Sequence, residues 1–128
     1  MHPPTPVFLR ERLKGAAGSK DRFGSTAIEV LETAALVAAA SADWDKDTIG
    51  AFQEEQKIHQ KVWGKLVSID RSQNLKSIPT KELPASYTAL YALEVMSPQE
   101  LKAAVQEGLV RSDASSRSIL DWTCLLYT

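Results

Sequence analysis

Few side chains in this 128-residue sequence have the types and spacing that chemistry requires. The histidines are His2, set among Pro3, Pro4 and Pro6, and His59; the one cysteine is Cys124. A nucleophile–base pair would need His59 and Cys124 side by side. His59 falls among apolar residues on a helical wheel and reads as a buried or capping histidine, and Cys124, between Trp122 and Leu125, reads as a core thiol. A single cysteine also excludes an internal disulfide and a cysteine-cluster zinc site. Asp43, Asp45 and Asp47 alternate like the opening of a calcium loop, but Ile49 and Phe52 stand where further oxygen ligands are needed. These acids read as helix caps instead. The run Gly15-Ala16-Ala17-Gly18-Ser19-Lys20 lacks the spacing of a phosphate-binding loop. No catalytic constellation emerges, so the chain reads as non-enzymatic, with no cofactor and no metal.

The basic residues are better organised. Residues 56–81 carry Lys57, Lys61, Lys65, Arg71, Lys76 and Lys81 against Asp70 alone, a local charge of +5. On a wheel, Val62, Trp63, Leu66, Val67 and Ile69 fill one arc, while Lys57, Lys61, Lys65 and Ser68 fall together on the other side. This pattern fits the second member of a helix-turn-helix pair. With Ile49 opening the unit, Phe52, Ile58, Trp63 and Leu66 take the four positions that are normally apolar; Gln53 and Lys57 depart from the usual small residue and turn glycine. In this reading Gln60, Lys61, Lys65 and Ser68 face double-stranded DNA, Arg71 and Gln73 lie near phosphate, and Lys57 joins the same set. The plainer reading is a solvated lysine face on a core helix.

The total charge of −1 hides blocks of +3 over residues 1–24, −6 over 25–55, +5 over 56–81 and −3 over 82–128. A uniformly basic binder is excluded; a basic face is not. The acidic block supports a second reading, a protein-interaction module such as a phage-encoded inhibitor of a host defence complex. There Asp43, Asp45, Asp47, Glu54 and Glu55 would engage a basic partner.

These residues must be positioned by helices. Three prolines in the first six residues predict an extended arm over 1–24 with at most a helical turn. Thr26 and Glu29 have capping-box spacing and open a helix to about Ser41, with Ile28, Leu31, Ala35 and Ala38 on one face and Val30 and Val37 extending it. Asp47 or Thr48 caps a helix to about Gln56, and a further helix covers His59 to Asp70. A loop over 71–82 precedes a helix from Ala85 to Val95, and Ser97-Pro98-Gln99-Glu100 opens another that ends at Gly108. Asp113 caps the last helix. Trp63, Tyr87, Tyr91 and Trp122 lie on apolar faces and read as core rather than stacking platforms.

The expectation is an all-α domain of about six helices over 25–128. The longest apolar run, Ala34 to Ala40, is far short of the ~20 residues a membrane span needs. With no leader-like pattern and one thiol, a cytoplasmic protein without a membrane partner is expected, and a homodimer is left open.

With the helices placed, the run Val62 to Asp70, the segment Leu83 to Leu93, Ser97-Pro98-Gln99-Glu100-Leu101 and Glu107 to Val110 together resemble small helical proteins carried by phages and plasmids. Their layout is similar to the helix-turn-helix region of ParB- and KorB-type partition proteins. The resemblance covers about residues 47–122 and implies a mobile-element protein of DNA-binding or DNA-adaptor ancestry.

Overall fold

The computed structural model describes residues 4–15 and 23–126. His2, the glycine-interrupted stretch from residue 16 and the segment through residue 22 lie outside the described residues. Among the described residues eight α-helices follow one another: α1 (Pro6–Gly15), α2 (Ala27–Asp43), α3 (Lys46–Gln56), α4 (Gln60–Arg71), α5 (Gln73–Lys76), α6 (Tyr87–Glu94), α7 (Pro98–Gln106) and α8 (Ser116–Leu126). A single 3-10 turn covers Thr80–Glu82, and there is no strand among the described residues. The all-α fold is as expected.

Alternate helices form a row. α2 packs along α4, α4 along α6, and α6 along α8, so α4 is held on both flanks. α2 buries Val30, Ala34, Val37 and Ala40, whereas Ile28 is 56% exposed. Ala38, Val30 and Val37 lie inward as expected and Leu31 is partly buried, but the face is rotated away from Ile28 and Ala35, which are exposed. A helix apolar around most of its circumference does not fix its own rotation; its surroundings do. Here the turn before it sets the register. The buried Thr33 hydroxyl lies 2.7 Å from the Phe23 carbonyl and 3.0 Å from that of Glu29. The Phe23 ring in turn stands perpendicular to that of Tyr87, with centres 5.2 Å apart.

Thr26 caps α2 through the Glu29 amide at 3.2 Å, but the Glu29 carboxylate is taken by the Ser25 hydroxyl at 2.7 Å. The capping box is thus half formed. The Ser97–Glu100 box is complete, with bonds of 3.2 and 2.9 Å.

Three expectations require correction. The segment taken for an extended arm contains α1, capped by Thr5, whose Oγ1 accepts from the Phe8 amide at 3.1 Å. Its Leu9 and Leu13 are buried in the core. The stretch expected as a loop contains α5, which Ser72 caps through the Leu75 amide at 3.2 Å. The last helix is capped by Ser115, whose Oγ accepts from the Ser118 amide at 3.1 Å, while Asp113 pairs with Arg111 instead.

Candidate nucleic-acid interface

The pair α3–α4 meets at a three-residue turn. Asp45, rather than Asp47 or Thr48, caps α3, its Oδ1 accepting from the Thr48 amide at 2.7 Å. Hydrogen bonding from the Thr48 side chain, and then from its amide, holds the Asp45 carboxyl below its ordinary pKa. The far end of α3 closes in a Schellman arrangement. The Ile58 amide donates to the Gln53 carbonyl at 2.9 Å and the Lys57 amide to that of Glu54 at 3.3 Å. Lys57 itself turns left-handed, at φ 56° and ψ 43°, where helix-turn-helix units usually carry glycine. His59 then caps α4, its Nδ1 accepting from the Lys61 amide at 3.1 Å. Of the two roles expected for His59, capping is the one observed, and the residue is exposed rather than buried.

Phe52, Ile58, Trp63 and Leu66 are all buried, as the helix-turn-helix pattern requires. Trp63 lies 6.1 Å from Phe52 and 6.2 Å from Trp44, ring centre to ring centre. The Trp44 Nε1 donates to the Pro4 carbonyl at 2.8 Å, whereas the buried Trp63 Nε1 has no partner.

Because α2 and α6 cover its flanks, α4 keeps one outward strip. Gln60, Lys61, Gly64 and Arg71 are exposed along it, with Ser68 half-buried at its side and Lys57 exposed in the turn above. From Lys61 to Arg71 the strip runs about 15 Å along the helix axis. Lys65 stands apart from this group. It is half-buried, and its Nζ sits 5.2 Å from the centre of the Tyr91 ring, a cation–π contact. The DNA-facing set is therefore brought together except for Lys65, which leans toward α6. Sequence reasoning missed Gly64 and Tyr91. A glycine inside an otherwise strongly amphipathic helix was the available signal for the first; nothing in the sequence links Lys65 to Tyr91.

The acidic set is divided. Asp45 is engaged as a cap, and both oxygens of Glu55 receive the Arg10 guanidinium, at 2.5 and 3.0 Å. Asp43, Asp47 and Glu54 are exposed. Glu54 borders the groove beside the turn, next to Gly50, Lys57 and His59.

Cys124, expected in the core, is exposed on α8. The described residues contain no group of three or more His, Cys, Asp and Glu able to hold a metal ion. They also contain no helix long and apolar enough to cross a membrane. No family model, curated protein or solved structure matches this chain.

Proposed function

We propose that this chain binds double-stranded DNA, directly or as a DNA-bound adaptor, through α3 and α4, and that it does so without catalysing a reaction. The observation that carries this reading is the combination at one place of a buried four-residue helix-turn-helix core and a strip of α4 bearing Lys61 and Arg71 beside Lys57. α4 enters the major groove, Gln60 and Lys61 meet base edges, and Lys57, Ser68 and Arg71 meet phosphates. A role on mobile DNA belongs to the same reading. The reading as an acidic interaction module has less support, because Asp45 and Glu55 are occupied within the fold.

Fluorescence anisotropy with a labelled duplex of about 20 base pairs tests the proposal. Three strip cations give an expected slope of about −3 for log K against log salt, with micromolar or weaker affinity at physiological salt. The double substitution Lys61→Glu, Arg71→Glu abolishes binding. A signal unchanged in that variant would sink the proposal.

A further inference from the structure

Gly64 is a glycine that the fold does not use. It sits inside α4, one turn after Gln60 and Lys61 and one turn before Ser68. Its φ is not positive, and a Cβ added there would meet nothing within 4 Å. The contrast with Gly24 is direct, since a Cβ there would stand 2.6 Å from the Glu29 Cβ. Within a helix, glycine is less stable than alanine. Gly64 therefore weakens α4 without easing a turn or a contact inside the chain.

What the missing side chain provides is approach from outside. It removes one methyl group's depth from the middle of the outward strip, where a partner could come against the helix backbone. Chemistry selects that partner. Around Gly64 the strip presents Lys57, Gln60, Lys61, Ser68 and Arg71 and no carboxylate, a surface complementary to a polyanion. Gly50, on α3, also stands in open space, but Asp47 and Glu54 flank it at one helical turn.

We infer that Gly64 is a close-approach position, at which the α4 backbone contacts the DNA duplex directly and the depth of α4 in the groove is set. This inference rests on the DNA-binding reading above, and it adds a steric determinant that charge alone does not give.

The experiment measures duplex affinity and thermal stability together for the full chain and for Gly64→Ala, Gly64→Leu and Gly50→Ala. Gly64→Ala is expected to raise Tm by roughly 2–4 °C, from its better helix propensity, while weakening duplex binding about tenfold. Gly64→Leu loses binding altogether. Gly50→Ala raises Tm to a similar extent and keeps wild-type affinity. If Gly64→Ala binds as tightly as the unmodified chain, or Gly50→Ala weakens binding equally, the inference is overturned while DNA binding itself stands. If the unmodified chain retains no duplex at low salt, the underlying reading fails and this one with it.

Discussion

Arg10 on α1 and Glu55 on α3, 45 residues apart, meet in a two-point ion pair, with Nε and Nη2 each facing one carboxylate oxygen. The planar guanidinium matches the carboxylate fork, so the pair sets orientation as well as proximity. Together with buried Leu9 and Leu13 and the Trp44–Pro4 bond, it seats α1 on the domain.

The acid sensitivity of α1 follows. The bond from Arg10 holds the Glu55 carboxyl below its ordinary pKa. Its stabilising contribution is therefore complete above the usual carboxylate range and disappears as pH falls through the depressed folded value. Peptic cleavage beside Phe8 and Leu9, read with a protease that works in acid, should accelerate over that window. Glu55→Gln should show a weaker dependence on acid, and its tryptic cleavage at Arg12 and Lys14 should be the faster at neutral pH.

The glycines make opposed predictions. Gly24→Ala forces a Cβ to within 2.6 Å of Glu29 Cβ and 2.8 Å of the Val30 amide nitrogen, against backbone that cannot give way. A loss of about 2–3 kcal/mol in urea unfolding is expected.

Lys57 occupies left-handed space with a full side chain. Lys57→Gly removes that penalty and adds unfolded-state entropy, for a net gain of up to about 1 kcal/mol. Lys57→Val, branched at Cβ, should lose more than that. Denaturant midpoints at constant m-value report both.

Trp44 and Trp63 differ in hydrogen bonding. Burying the Trp63 Nε1 without a partner costs about 1–3 kcal/mol, which Trp63→Phe relieves while giving up part of the ring's contacts. That variant should unfold within about 1 kcal/mol of the parent. Trp44→Phe breaks the bond to the Pro4 carbonyl and has no such relief, so it should be the less stable of the two.

On DNA, Lys65 and Glu54 should behave unlike the strip residues. Lys65→Gln should weaken binding less than Lys61→Gln, because the Lys65 ammonium is drawn to Tyr91. Lys61→Gln should also reduce the salt slope by about 1. Glu54→Gln should strengthen binding by removing an exposed negative charge from the edge of the turn. Anisotropy titrations at two salt concentrations distinguish these outcomes.

Where one local interaction decided the outcome, the sequence was readable. Ser97, Pro98 and Glu100 opened α7 as expected, and the strong two-sided pattern of α4 placed Trp63, Leu66 and Ile69 inward. Thr5-Pro6 is a Thr-Pro start of the same kind as Ser97-Pro98, yet the neighbouring prolines argued for extended chain. What makes α1 a helix is the burial of Leu9 and Leu13, which no local rule contains. The rotation of α2 and the lean of Lys65 are likewise tertiary: one depends on the bond from Thr33 to Phe23, the other on a ring from α6. The candidate site was legible as a set of cations, whereas its outline depended on which flanks α2 and α6 cover.

The position of α4 inside the row of alternate helices has a consequence for exchange of its backbone amides. A helix gripped on both sides cannot open alone, so its inner amides should exchange with solvent only through unfolding of the whole domain, unlike those of a terminal helix such as α1. The strip it presents is then rigid before any partner arrives, and little ordering entropy remains to be lost on contact.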